Sequence, residues 1–279
     1  MGVSLPPRLS PSAISSFTSC PLAFRFSYVD RLPEPPSPAA TKGTLVHRAL
    51  ELLMLRPAGD RTVTAALADL DRARVEMAEH PEMAGLELDA DGWVAFHAEA
   101  EAHVRRYFEL EDPNTVAPIG LELKLSAQIG DVTLRGVIDR LELRDGELIV
   151  TDYKTGAAPT ERHEQSRLTG VHLYSLLCEH MLGRRPAAVQ LYYLSTPEAI
   201  IATPSSQSTT GTERRTAAVW TAIARACARD DFRPRPGPLC NYCAFKPYCP
   251  SFGGRPEEAV ELRGPGTVVE MALPLAATI

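Results

Sequence analysis

No apolar run in this chain approaches the ~18 residues needed to cross a bilayer, so a membrane-spanning protein is not expected. The stretch from Met1 to Ser10 lacks the basic head and apolar middle of a secretory signal, which makes the cytoplasm the expected compartment. A basic excess is missing as well. With 29 Lys and Arg against 35 Asp and Glu, the formal net charge is −6, which argues against bulk electrostatic attraction to nucleic acid. A local basic path stays open, and carboxylates gathered around a metal would themselves count on the acidic side. There is no GxxxxGK[ST] loop, so no P-loop motor is recognisable. Lys154-Thr155-Gly156 resembles the KTG of serine acyl-transferases, but the S-x-x-K and S-D-N signals that chemistry also needs are absent. No internal repeat is visible.

What is present suits one large α/β domain or two modest ones: 279 residues, 44% of them hydrophobic. The six cysteines, without an export signal, point to metal binding rather than to a disulfide framework. Cys178 and Cys227 sit in helical apolar patterns and read as small buried residues. Cys240 and Cys243 form a CxxC, and Cys249 follows after five intervening residues. A CxxC alone is ambiguous; a third cysteine this close favours a metal.

Ser10-Pro11 is an N-cap followed by proline at the first helical position, and Pro21 restarts the chain just after Cys20. A proline-rich link, Pro33 to Pro38, comes next. Helical periodicity predicts helices over 43–55, 63–80 and 93–110, the last two within a helical insertion at about 58–112. The period then changes. Strands are expected over 121–129, 132–143 and 147–154, a helix over 161–182 closed by Gly183, a strand over 187–194 and a helix over 212–229. A strand, a crossover helix and another strand beside a meander suggest a βαβ unit in a mixed sheet. The segment 253–279 is expected to be a peripheral tail.

The chemistry concentrates in one hairpin. Gly136-Val137-Ile138-Asp139 leads through an Asp145-Gly146 turn to Thr151-Asp152-Tyr153-Lys154. Alternation along a strand puts Asp152 and Lys154 on one side. A two-residue turn sets Asp139 directly opposite Asp152; a three-residue turn shifts it by one. Facing carboxylates repel, and a divalent cation between them removes that cost. Such a cation polarises a phosphate and activates water, while a lysine stabilises developing charge. An Asp-x-Lys is also a common surface pair. Here the apolar Leu148-Ile149-Val150 flank says that the strand is buried, and acids at the end of a buried strand need a reason.

Gly43-Thr44-Leu45-Val46-His47 fits GxxxH, Gly136 to Asp139 fits GxxD, and Asp152-Tyr153-Lys154 fits (D/E)xK, with the cysteine cluster following in order. Together these resemble RecB-family PD-(D/E)xK nucleases with an iron–sulfur cluster, such as AddB-type subunits and CRISPR adaptation nucleases. The resemblance spans roughly residues 8–252 and implies a single nuclease domain there. The implied fold is a restriction-endonuclease-like mixed sheet flanked by helices. The implied activity is Mg²⁺- or Mn²⁺-dependent DNA cleavage, of exonuclease type, on single strands or duplex ends, in DNA repair or recombination, with a separate helicase as a possible partner. It further implies that His47, Asp139, Asp152 and the Tyr153 carbonyl ligate the metal and that Lys154 is the catalytic lysine. Glu51, four residues after His47, and Glu122 on the preceding strand are candidates to approach the same site. The family's QxxxY motif keeps its tyrosine as Tyr174, but Gly170 stands at the glutamine position, where His172 or Gln165 would have to compensate. That departure keeps a second function open, a catalytically silent DNA-binding or helicase-partner module. Arg184-Arg185 and Arg214-Arg215 are basic pairs that read as phosphate contacts or as solvated surface.

Cys20 is the expected fourth thiolate beside Cys240, Cys243 and Cys249, closing the chain's N- and C-terminal segments into a staple. Four thiolates suit Zn²⁺ and [4Fe–4S] equally by softness; the resemblance favours [4Fe–4S].

Overall fold

The Asp145-Gly146 turn sets the register of the sheet. Both residues have left-handed backbone, φ 52° and 82°, the conformation that lets a two-residue turn match the twist of its strands. In the computed structural model, which describes the backbone of residues 2–158 and 161–262 and omits the side chains of 161–169, 260 and 261, Arg144 pairs with Glu147 across this turn. The two-residue alternative therefore holds.

Five strands follow in the order β1-β2-β3-β4-β5: β1 Pro118–Ile129, β2 Val132–Arg144, β3 Glu147–Lys154, β4 Ala188–Tyr193 and β5 Glu198–Ala202. All neighbours are antiparallel except β3 and β4, which are parallel. Helix α7, Glu161–Leu182, makes the crossover that a parallel pair requires, and it packs on β1, β2 and β4. The result is the mixed α/β sheet flanked by helices that the sequence predicts. Edge strand β5 was not legible: its half-exposed residues show no clean alternation.

The N-terminal helices are α1 Pro11–Ser19, capped by Ser10 Oγ on the Ala13 N–H at 3.1 Å, and α2 Pro21–Phe24. Next come α3 Pro38–Leu55, α4 Val63–Met77, α5 Pro81–Ala84 and α6 Ala90–Leu110; α8, Ser206–Arg229, follows the sheet. Helix α3 starts five residues before the periodic stretch because Pro38 sits at its first position, hidden in the proline-rich link. Helix α8 begins six residues early through a Ser/Thr-rich run of poor helix propensity.

The chain divides into two compact units. One holds Met1–Pro6, Ser15–Glu34 and the chain from Ile223; the other holds Pro7–Ile14 and Pro35–Ala222. In the second unit, Leu50 and Leu53 of α3, Ala66 and Ala73 of α4, and Ala100 and Val104 of α6 form one core with Tyr153 and Tyr192 of the sheet. In the first unit, Phe26 meets Phe245 with ring centroids 5.0 Å apart, and Arg25 reaches both Asp30 and Asp230 at 3.0 Å. Pro256–Leu262 form a 3₁₀ segment; the rest of the expected tail lies outside the described residues.

Inside the second unit lies a fully buried guanidinium. Arg140 on β2 has no solvent exposure. It bonds Tyr153 Oη, Thr151 Oγ1 and Glu111 Oε2 at 3.0 Å each, and lies 3.4 Å from Glu142. Tyr107 and Tyr192 also donate to Glu111, at 2.6 and 3.1 Å. Removing one partner of a buried ion pair strands the other charge. Arg140→Met is expected to cost about 3 kcal/mol in urea unfolding, and Arg140→Lys to recover little because it lacks the planar fork. A loss below about 1 kcal/mol would mean that the network carries no more than a surface pair.

Candidate metal centre and catalytic hairpin

The β2–β3 ladder runs from Arg144↔Glu147 to Arg140↔Thr151 and ends there. One step further, Asp139 and Asp152 stand where the next pair would be, but the strands part. Asp152, Tyr153 and Lys154 keep only their parallel partners Leu191, Tyr192 and Tyr193 of β4, which pairs with β3 from Ile149 onward. The Tyr153 N–H is donated to Asp139 Oδ2 at 2.7 Å. A side-chain carboxylate thus takes a backbone donor at the mouth of the fork.

Glu122 reaches this fork by an unusual backbone. Its φ is +45°, in the left-handed region that side chains seldom adopt. Leu121↔Arg140 and Leu123↔Ile138 pair normally on either side. The strand alternation behind its reading as surface is broken at that point. A group of ligand atoms results: His47, Glu122 and Asp139 each offer one, all within 4.8 Å of one another. His47 Nδ1 lies 3.5 Å from Asp139 Oδ2, and its Nε2 faces the Tyr153 carbonyl at 3.0 Å.

These carboxylates are expensive where they stand. Burial raises Glu122 to about 7, reinforced by the Asp139 charge. Burial likewise raises Asp139 to about 6; His47 works against this and the Asp152 charge adds to it. A buried acid, a half-buried acid and an imidazole suit a hard divalent ion by donor type, and their ligand atoms lie within 4.8 Å of one another. The donor set is the right chemistry, and a modest contraction would bring it to bonding distance of one ion.

Asp152 is not in that tight group. It is 2% exposed, with Lys154 Nζ 2.5 Å from its Oδ2 and the Tyr174 hydroxyl donating to its Oδ1 at 2.9 Å. Burial alone would lower the Lys154 pKa, but Asp152, with help from Asp139, outweighs it and holds the ammonium charged. Tyr174 comes from α7, which approaches closely because Gly136 has no side chain. A Cβ there would sit 2.7 Å from Leu177 Cδ1 and 3.6 Å from Tyr174 Cε1. The tyrosine of the helix motif therefore touches the acid itself.

Other candidates fall differently. The Glu51 carboxylate is taken by Arg48 at 2.7 Å and reaches the group only through its charge, which helps to raise Glu122. Gly170 has open space around its Cα. His172 is half-buried near Arg215, its Nδ1 without a hydrogen-bond partner among the described residues. The Gln165 side chain lies outside the described residues. Arg184 binds the Gly146 carbonyl and Arg185 the Ser206 hydroxyl, at 2.6 and 2.9 Å, so that pair is occupied locally. Arg214 is exposed.

In the first unit, Cys20, Cys240, Cys243 and Cys249 line one small cavity of about 30 Å³ with Phe26, Phe245 and Phe252. None is in a disulfide. Backbone N–H groups face two sulfurs, Arg235 to Cys20 Sγ at 3.5 Å and Gly237 to Cys240 Sγ at 3.3 Å. Burial raises the Cys243 thiol, and the other three thiols add to it. Cys178 and Cys227 are buried, as expected of small core residues. Four thiols around one apolar cavity fit a soft metal centre.

Known proteins resemble this chain. The Gene 69 protein of Mycobacterium phage D29 is 23% identical over 269 residues, covering 88% of this chain and 97% of its own. Its counterpart from phage L5 is 26% identical over 135 residues, 47% of this chain and 44% of its own. A proposed exonuclease from Eubacterium rectale, solved by crystallography, shares the fold with a TM-score of 0.53 at 15% identity, over 85% of this chain and 87% of that one. The model of the PD-(D/E)XK nuclease superfamily matches residues 8–250. This chain belongs to the PD-(D/E)XK nuclease superfamily.

Proposed function

We propose that the protein is a Mg²⁺- or Mn²⁺-dependent deoxyribonuclease of exonuclease type, acting on single strands or duplex ends. One observation carries the reading: ligand atoms of His47, Glu122 and Asp139 within 4.8 Å of one another, beside a Lys154–Asp152 pair at the fork of β2 and β3. His47, Glu122, Asp139, Asp152 and the Tyr153 carbonyl would hold the metal. When bound, a divalent ion supplies a polarised phosphate and a more acidic water. The chain does the rest. Tyr174 orients Asp152, Asp152 keeps Lys154 charged and aimed, and Lys154 stabilises charge developing on the phosphate. The exonuclease description of the Eubacterium rectale protein points the same way. DNA repair or recombination, in the cytoplasm and with a separate helicase, is the setting the reading suits.

The four thiols of the first unit are assigned to a [4Fe–4S] cluster with a structural role. Four thiolates serve zinc and an iron–sulfur cluster alike by softness, and the resemblance to iron–sulfur nucleases is what favours the cluster. A second reading, a catalytically silent DNA-binding module, is favoured by Gly170 at the motif's glutamine position; the same assay separates the two.

Anaerobically purified protein with end-labelled single- and double-stranded DNA should cut with Mg²⁺ or Mn²⁺ and not with EDTA. Asp152→Ala and Lys154→Ala should each lose at least ~100-fold. Cluster-loaded, folded protein that does not cut would favour the silent module.

Metal binding should also follow pH. An acid whose folded pKa stands above its unfolded value, near 4, costs stability that grows as pH rises from that value through the folded one. Glu122 and Asp139, at about 7 and about 6, therefore weigh on the metal-free fold increasingly between about pH 4 and 7. Mg²⁺ offsets this, so its stabilisation in thermal melts should be larger near pH 8 than near about 5.5. A pH-independent shift would remove these two acids from the metal site.

Cys243→Ala should lose iron and acid-labile sulfide together and lower the melting temperature. Zinc in the wild type instead of iron would overturn the cluster assignment.

A further inference from the structure

Four successive carbonyls at the end of β3 are each met by a different partner. Tyr153 O faces His47 Nε2 of α3 at 3.0 Å, and Lys154 O accepts the Leu194 N–H at 2.8 Å. Thr155 O faces His103 Nε2 of α6 at 3.0 Å, and Gly156 O accepts the Ser195 hydroxyl at 2.8 Å. Gly43 of α3 closes on the same segment: a Cβ there would stand 3.2 Å from Thr155 Oγ1. A strand end followed by glycine would ordinarily fray. This one is pinned residue by residue, and Lys154 is at its centre.

Among the four, His103 is the contact that packing does not explain. It is 5% exposed, on the face of α6 that carries Ala100, Val104 and Tyr107 into the apolar core. A buried imidazole there costs desolvation, and an aromatic hydrocarbon would fill the space without that cost. Its Nδ1 faces the Glu99 carbonyl at 2.6 Å, which orients the ring, while Nε2 is left for Thr155. Carbonyl oxygens only accept, so the neutral ring can donate to Glu99 or to Thr155 but not to both, and holding Thr155 requires the tautomer with its proton on Nε2.

We propose that His103 is a positioning residue for DNA cleavage. By holding the Thr155 carbonyl, it fixes the backbone just after Lys154 and so keeps the Lys154 ammonium 2.5 Å from Asp152 and aimed into the fork. The helical segment between α3 and β1 is then part of the catalytic machinery, not a peripheral insertion. The role rests on the nuclease reading; the pinning itself does not.

The test compares His103→Phe, His103→Gln and His103→Asn in the full chain. A glutamine amide reaches where Nε2 stands, an asparagine amide only where Nδ1 stands. The Phe variant should lose about 10- to 100-fold in single-turnover cleavage. Its Mn²⁺ affinity should stay within about twofold, since no proposed ligand is removed. Its amides at Lys154–Gly156 should exchange hydrogen at least about tenfold faster. Gln should return cleavage to within about threefold of wild type, and Asn should not. Wild-type cleavage and exchange in the Phe variant would overturn the proposal, as would Asn recovering as well as Gln, since either makes His103 a packing residue. If the wild type cuts no DNA, the nuclease reading fails by itself. Exchange at 154–156 then decides the pinning: faster in the Phe variant upholds it, unchanged refutes it.

Discussion

The hydrogen bond from the Tyr153 N–H to the Asp139 carboxylate, 2.7 Å long, is the contact on which the site depends. In a continued ladder, that region of β3 would pair backbone to backbone with β2. Here a side chain takes the donor, so β2 and β3 separate without leaving a buried N–H unsatisfied. The separation opens the space in which His47, Glu122, Asp139 and Lys154 meet. The end of β3 stays held on its other side by β4, whose parallel pairing runs from Ile149↔Ala188 through Lys154↔Tyr193. A parallel pair demands the crossover α7, and α7 supplies Tyr174. The diverted hydrogen bond accounts for the fork, and the parallel pair accounts for the crossover that brings a tyrosine to Asp152.

The fork is costly to hold. Asp139 and Asp152 are 9% and 2% exposed, and Glu122 adopts a backbone that L-residues avoid. Strain and buried like charge collected in one place belong to a site rather than to a fold. The offset comes from the other side of β3. Alternation sends Tyr153 away from Asp152 and Lys154, into the core shared with α3, α4 and α6, where its hydroxyl meets the buried Arg140. Arg140 in turn is the immediate neighbour of Asp139. The same stretch of backbone therefore carries a destabilising acidic site on one face and a buried ion-pair network around Arg140 on the other.

Much of this is legible in the residues. The Asp145-Gly146 turn implies the register, and the register implies that Asp139 and Asp152 are partners. The motif glycines have physical meaning: Gly43 admits Thr155 and Gly136 admits α7. Other parts are silent for identifiable reasons. Glu122 looked ambiguous because alternation gives no warning of a left-handed residue in mid-strand. Arg140 and His103 are charged or polar residues within strand and helix patterns, where periodicity assigns a face but not a partner; their partners lie 29 and 52 residues away. Strand β5 is a short edge with little to bury.

Charge balance makes the same point from outside the site. A net charge of −6 by itself disfavours binding a polyanion, yet several of the acids do not lie on the surface. Asp139, Asp152 and Glu142 are buried, and Glu111 is tied to Arg140. Salt screens the distant charges, so what a polyanion meets close to the surface is set by the groups at hand rather than by the net charge. What such a ligand meets at the fork is Lys154, held charged by Asp152, with any cation bound among His47, Glu122 and Asp139. The acids that lower the formal charge are thus the ones that make the site locally attractive to phosphate once a divalent ion is bound.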